Sequence, residues 1–386
     1  MAAKITFFPV DNGDMTLIRL ADSNTTSLLV DCKIRLSADD AEDTTPDVAA
    51  SLRSRIKTDA NDRPYVDAML LSHPDEDHCL GLEKHFWLGS LCDYSDDDKP
   101  QSEKRIVIRQ IWSSPMVFRR ASKSNPLCSD AKAFKQEAKR RVKVNVDSGF
   151  VVNDGDKILI LGEDQDSKTD DLTPILVKAG EQFTGINGSA NGYLTSHVLA
   201  PISPQDDDAE EKLSKNNSSV IINFQIKHSE YGSSISKFLT GGDAGVEIWE
   251  RISDEYNLSE LEYDLLLAPH HCSWRTLSHD SWSDKGENAK VSQGARTALA
   301  QSRNGAFIIS SSKPILDDDN DPPCIRAKRE YRSILGYSGI FKCTGEEPTK
   351  SNPKPLEFQT TSSGFKLAAV VSAAASVTSC SPPRAG

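Results

Sequence analysis

The sequence predicts an α/β fold in which two β-sheets are flanked by helices. Strand-like segments come in clusters with helical stretches interspersed, no repeat of short period divides the chain, and three apolar strands empty directly into histidines or aspartates. With 386 residues and 37% hydrophobic content, the chain can bury a sizeable core, as one large domain or two of ordinary size.

The elements follow in order. Ile5 to Val10 and Thr16 to Leu20 read as strands joined by the turn Asp11-Asn12-Gly13-Asp14, and Ser27 to Asp31 as a third. Asp39 to Thr58 supplies a polar connection with a short helix, and Ala68 to Ser72 a buried strand. From Asp93 to Gly149 the composition shifts: the acidic tip Asp96-Asp97-Asp98 gives way to a strand at Ile106 to Trp112 and then a basic helix. Ser129 is expected to cap that helix, and Lys132, Lys135, Lys139, Arg140, Arg141 and Lys143 load it with positive charge, a basic helical insertion over about 113–145. Lys157 to Leu161, His197 to Leu199, Ser219 to Ile226, Ser236 to Thr240, Tyr263 to Ala268 and Phe307 to Ser311 read as strands. Val246 to Tyr256, Ala289 to Ser302 and Ile325 to Leu335 read as helices, and Phe358 to Val371 closes the domain as one strand or two. The domain is expected to span 1–371, and the Ser-, Ala- and Pro-rich tail 372–386 to be flexible.

Charge and cysteines narrow the class. A net charge of −12 argues against nucleic-acid binding through the overall field, so any such contact must come from a local basic surface. Eight cysteines are scattered with no C-x-x-C, which fits a reduced, cytoplasmic compartment. Met1 to Val10 lacks the pattern of a signal peptide, and no apolar run approaches the roughly 18 residues that cross a bilayer, so no membrane partner is expected.

The chemistry concentrates in three places. Met69-Leu70-Leu71-Ser72 delivers His73, Asp75, Asp77 and His78; Phe238-Leu239-Thr240 runs into Gly241-Gly242-Asp243; Leu265-Leu266-Leu267-Ala268-Pro269 runs into His270-His271. Imidazoles and carboxylates packed this closely are buried together only where a cation compensates their charge and uses their lone pairs. Taken alone, Asp243 reads equally well as a cap before Val246; the other clusters favour a ligand.

These residues resemble the metallo-β-lactamase-fold hydrolases, and within them the soluble nuclease-like domain of the competence protein ComEC. Asp11-Asn12-Gly13-Asp14 is similar to that group's opening turn, Leu29-Val30-Asp31 to its strand-end aspartate, and Ser72-His73-Pro74-Asp75-Glu76-Asp77-His78 to its His-x-Asp-x-Asp-His motif. Asn216-Asn217-Ser218-Ser219, Thr240-Gly241-Gly242-Asp243 and Pro269-His270-His271-Cys272-Ser273 match later motifs in the expected order. The resemblance implies an αββα sandwich with two divalent metal ions at one edge between the sheets. It places His73 and Asp75 on one metal and Asp77 and His78 on the second, with Asp243 bridging and His270 or His271 completing the second site. It implies a water-derived nucleophile between the ions, with Asp77 and His271 as catalytic residues. Three positions depart from the pattern: Leu199-Ala200-Pro201 lacks a histidine that relatives often carry, with His197 three positions away, Pro322-Pro323 stands where a later His-Pro often follows, and Cys272 stands in place of a glycine.

Metal and substrate follow from the donors. Asp75, Asp77 and Asp243 make the set rich in oxygen, which suits Mn²⁺ or Mg²⁺ as well as Zn²⁺. Cys79 and Cys272 read as packed residues beside the site. Paired metals and the Arg119 to Lys143 basic segment suit a phosphodiester, with Lys139 and Arg140 tracking a nucleic-acid backbone and Trp274 and Arg275 on a base or phosphate; a solvated helix face and a packed tryptophan are the alternatives. The expected function is a metal-dependent phosphodiesterase or nuclease acting on DNA or another nucleic acid, or on a modified or cyclic nucleotide, with a protein partner left open. Hydrolysis of a thioester or lactam bond, and a catalytically impaired scaffold, are the alternatives.

Overall fold

The computed structural model describes residues 2–38, 40, 42–115, 127–162, 169–201, 216–229 and 234–368. The expected flexible tail 372–386 and the start of the basic segment, including Arg119, lie outside the described residues. Two sheets stack face to face. In the first, strands beginning at residues 364, 356, 4, 16, 27, 64, 106, 157 and 176 lie side by side in that order; in the second, strands beginning at 182, 194, 221, 235, 263, 302 and 340 do so.

Side-chain alternation builds the layers. In Ser27–Val30, Leu28 and Val30 face the other sheet while Leu29 faces outward; in Pro64–Leu71, Ala68 and Leu70 face inward while Val66, Met69 and Leu71 face outward. The second sheet mirrors this, with Ile222, Phe224, Leu265 and Leu267 inward and Ile221 and Leu266 outward. Both faces are apolar because both are covered, which is why the parallel strands read as unbroken hydrophobic runs. Helices Val48–Arg53 and Ser129–Asp147 cover the first sheet's outer face; Val246–Glu255, Gln293–Leu299 and Ile325–Leu335 cover the second's. The result is the four-layer αββα sandwich.

Within each sheet an antiparallel meander leads into parallel strands. Ser27–Val30, Pro64–Leu71 and Ile106–Ser113 run parallel, as do Ile235–Thr240, Tyr263–Leu267 and Ser302–Ser310. The carboxyl ends of the central strands therefore release their loops along one edge, the place where open α/β sheets collect functional groups. One cap differs from expectation. The Ser129–Asp147 helix is capped by Cys128, whose Sγ accepts from the amide of Ala131, and Ser129 is already helical.

Candidate metal centre

Loops that are far apart in sequence converge at this edge and are cross-braced through the backbone. The amide of Asp14 donates to Asp77 O (3.2 Å), that of Cys32 to His78 O (2.8 Å), that of Val220 to Ser72 O (3.0 Å) and that of His270 to Gly242 O (2.9 Å). Gly242 has φ +46°, and a Cβ there would lie 2.8 Å from the Ser219 side chain, whose Oγ accepts from the amide of Asp243 at 3.0 Å. Only glycine makes this approach, and it fixes Asp243 at the centre.

Asp243 divides its oxygens between two groups of side chains. Oδ1 lies 3.0 Å from His78 Nε2 and 3.4 Å from His271 Nε2, which is itself 3.1 Å from Asp77 Oδ2. Oδ2 lies 3.7 Å from His73 Nε2 and 3.7 Å from His270 Nε2, and His73 Nε2 is 3.8 Å from Asp75 Oδ2. Two atoms each about 2.1 Å from one ion stand about 3.4 Å apart in a tetrahedral arrangement, so these separations fit shared cations. His73 Nε2 is buried with no hydrogen-bond partner, an orphan that a cation would satisfy. By donor chemistry and by spacing, the residues fit divalent metal ions.

A further layer of carboxylates stands behind the rings. His78 Nδ1 is 2.9 Å from Asp31 Oδ2, and the same carboxylate accepts from the amide of Ser72 (2.7 Å) and its hydroxyl (2.8 Å). Asp14 Oδ1 lies 3.5 Å from His271 Nδ1 and Asp14 Oδ2 lies 3.9 Å from His78 Nδ1. Asp14, His78, Asp243 and His271 thus form a buried group with ligand atoms within 4.8 Å of one another. Asp14 faces the Nδ1 atoms and Asp243 the Nε2 atoms, so Asp14 orients rings whose other nitrogen points at the centre. Sequence patterns single out Asp14 and Asp31 without giving them a role. The available signal is a lone aspartate ending a fully apolar strand, Leu28-Leu29-Val30-Asp31, which the fold buries to 1% exposure.

The electrostatics follow from this layering. Burial, reinforced by His78, pushes the His73 imidazole down to about 3, leaving it neutral and free to donate a lone pair. Burial also disfavours charge on His271 and His78, but Asp243 with Asp14 and Asp77 pulls His271 up to about 10, and Asp243 with Asp31 holds His78 well above its usual range. Burial opposes ionisation of Asp243 as well, yet the surrounding imidazoles hold it well below the usual carboxylate range. The raised His271 and His78 thus offset part of the carboxylate charge around them.

The peptide that supplies the histidine pair is strained. His270, His271 and Cys272 follow one another with φ of 50°, 53° and 68°, a left-handed turn worth about 1–2 kcal/mol per non-glycine residue. Packing overdetermines it: Pro269, His271 and Cys272 are buried and Ser273 is fully so.

Other expectations fare differently. Trp274 is completely buried in the helix-side core with the Arg326 guanidinium over its ring, so it presents no face to a base. Arg140 is held by Glu137 (2.7 Å) and Asp156 (2.6 Å), which makes it a tie within the fold and not a phosphate ligand. Lys139 is exposed, and Arg275 is exposed on a cleft of about 490 Å³ lined also by Asn217, Asp243, His270 and His279. His197 sits 3.9 Å from Glu260 with its ring edge-on to Tyr256, among neighbours that exclude it from the cluster. Lys33, given no role from sequence, lines a second cleft of about 460 Å³ with Asp75, Asp77 and Cys128.

Fold and site together define an αββα protein with a buried histidine–carboxylate centre of metal-ligating composition. No family model matches the sequence, and no curated protein matches it. Among solved structures, the chain is similar to the metallo-β-lactamase MIM-1 from Novosphingobium pentaromativorans, at 13% identity over 77% of this chain and 86% of that one, with a TM-score of 0.29. No helix among the described residues is long and apolar enough to cross a membrane.

Proposed function

We propose that this protein is a two-metal hydrolase of phosphodiester bonds, acting on nucleic acid. The observation that carries this reading is the division of Asp243, whose two oxygens face two separate imidazole–carboxylate groups. His73, Asp75 and His270 with Asp243 Oδ2 would hold one ion, and Asp77, His78 and His271 with Asp243 Oδ1 the other. In this assignment His270 supplies the imidazole that the first group lacks because Ala200 stands where relatives have histidine, while His271, deeper and facing Asp77, belongs to the second group. Divalent ions held there supply Lewis acidity and a nucleophile from water at neutral pH.

The chain's own groups prepare that chemistry. Asp31 and Asp14 fix the His78 and His271 rings, and Ser72 Oγ, 3.1 Å from His73 Nδ1, leaves His73 Nε2 turned to the centre. Asp77, near both His271 and the Lys33 cleft, orients the incoming water. Positive charge frames the opening on two sides, with Lys33 in one cleft and Arg275 in the other. From Cys128 in the Lys33 cleft, the Ser129–Asp147 helix carries Lys132, Lys135, Lys139 and, shared with the exposed Asp147, Lys143 at three- and four-residue spacing. The stripe spans about 16 Å at roughly 1.5 Å per residue, long enough for several phosphates of an extended strand. This local basicity, in a chain of net charge −12, supports a polyanionic substrate over an acyl compound.

The test is hydrolysis of single- and double-stranded DNA, RNA, a chromogenic phosphodiester, a thioester and a lactam, each with EDTA, Mn²⁺, Mg²⁺ or Zn²⁺. Metal-dependent cleavage of phosphodiesters, lost in Asp243→Ala, is the expected result. Cleavage confined to the thioester or lactam would overturn the substrate assignment; purified protein that binds no metal and cleaves nothing would make the chain a scaffold.

A further inference from the structure

Chemistry beside the centre remains unused by hydrolysis. Cys79 directly follows His78, and its Sγ lies 3.7 Å from the Sγ of Cys128. The two thiols are 49 residues apart in sequence and meet because the short Glu76–Cys79 helix docks against the start of the Ser129–Asp147 helix. That docking is itself fixed: Asp130 accepts from the amides of Gly81 (3.0 Å) and Glu83 (2.8 Å). Cys79 is buried and donates to Asp75 O at 3.1 Å, whereas Cys128 is partly exposed and lines the cleft that holds Lys33, Asp75 and Asp77. One thiol is open to a small reagent and the other waits behind it.

We propose that Cys128 and Cys79 form a peroxide-reactive thiol pair that closes to a disulfide and thereby loosens the metal centre. Cys128 caps a 19-residue helix, and its sulfur accepts from the amide of Ala131, a setting that stabilises thiolate. Turned from Asp75 O to Cys128, the single Cys79 S–H, together with that amide, brings the Cys128 thiol down to about 6. The thiolate attacks the O–O bond of a hydroperoxide, forming an S–O bond and, with one proton, releasing an alcohol or water. Cys79 sulfur then attacks the Cys128 sulfenic sulfur, the S–S bond forms, and hydroxide leaves with the Cys79 proton as water. The two thiols are oxidised by two electrons and the peroxide is reduced by two.

Closing the bond brings the sulfurs from 3.7 Å to about 2.05 Å. Cys79 must then give up its hydrogen bond to Asp75 O, and the Glu76–Cys79 helix that carries Asp77 and His78 shifts toward the Ser129–Asp147 helix. A shift of that size at a site built on sub-ångström placement weakens cation binding. The effect on metal rests on the two-metal reading above; the disulfide does not.

The full chain is treated with hydrogen peroxide, then digested without reduction for peptide mass analysis, and its Mn²⁺ and Zn²⁺ affinities are measured before oxidation, after it, and after a thiol reductant. The expected result is a Cys79–Cys128 cross-link two hydrogens lighter than the reduced pair, at least tenfold weaker metal binding, and recovery on reduction. Cys128→Ser, which keeps a capping oxygen, should bind metal normally and resist the treatment. Absence of the cross-link, its formation with another cysteine, or a cross-linked protein with unchanged metal affinity would overturn the proposal. Reduced protein that binds no metal would sink the two-metal reading instead, and the cross-link would still be read by mass.

Discussion

Asp243 is the residue that both halves of the centre share, so its replacement should differ in kind from that of any histidine. Asp243→Ala is expected to lose both ions, whereas His73→Ala should retain the second; metal content by mass spectrometry separates the two outcomes. Asp31 touches no ion in the proposed arrangement but holds the His78 ring and Ser72. Asp31→Asn should therefore weaken metal binding about 10- to 100-fold while the fold survives, read by competition with a chelating dye and by thermal unfolding. Protons compete with metal here. His271, raised from 6.5 to about 10, and His78, also raised, hold protons at neutral pH in the metal-free chain. Raised folded-state values mean that these protons stabilise the metal-free protein below about pH 6.5 and that this contribution fades toward pH 10. Metal affinity runs the other way: it should tighten as pH rises from 6.5 and level off near 10. Calorimetry in buffers of different ionisation enthalpy should show protons released on binding; affinity independent of pH would contradict the assignment.

At the scale of elements, the turn after each parallel strand matters more than the strand. Gly242 lets the Ile235–Thr240 strand deliver Asp243 within reach of Ser219, and Gly242→Ala meets both a positive φ and a 2.8 Å approach. That variant should fold with lowered stability and much weaker metal binding, visible as a fall in both melting temperature and metal content. Cys272, in a position with φ +68° that would suit glycine, presents opposed effects. Cys272→Gly relieves backbone strain of about 1 kcal/mol but empties part of a fully buried site. Trp274→Ala removes a whole buried side chain of the outer core and should cost about 3–5 kcal/mol in denaturant unfolding. It should leave substrate affinity per folded molecule unchanged, in contrast to Arg275→Ala on the cleft.

Across the molecule, the proposed nucleic-acid substrate would lie along the lysine stripe, the local basic exception in a chain of net charge −12. Lys132→Glu combined with Lys139→Glu should weaken binding of a long single strand and flatten its salt dependence by roughly 0.7 in logarithmic slope for each phosphate no longer neutralised. Cleavage of a small chromogenic phosphodiester should stay the same, because the centre is untouched. Equal loss for both substrates, or neither, would remove the helix from the substrate path.

Much of this was legible in the residues. Most strands of both sheets, though not the edge strands Leu176–Val177, Gln182–Phe183 and Ile340–Cys343, the helices Val246–Glu255 and Ile325–Leu335, and the three strand ends that carry histidine or aspartate follow from periodicity and from polar residues that break apolar runs. The chemical nature of the centre follows as well, because imidazoles and carboxylates at such spacing have few other uses. Tertiary structure alone decided which oxygen of Asp243 faces which histidine, that Asp14 and Asp31 stand behind the rings, that Trp274 is packed away and Arg140 tied, and that Cys79 meets Cys128. The reason is physical: periodicity records which face of an element is buried, while the partner on that face is chosen by sheet packing and loop closure over separations of up to hundreds of residues, which no local pattern encodes.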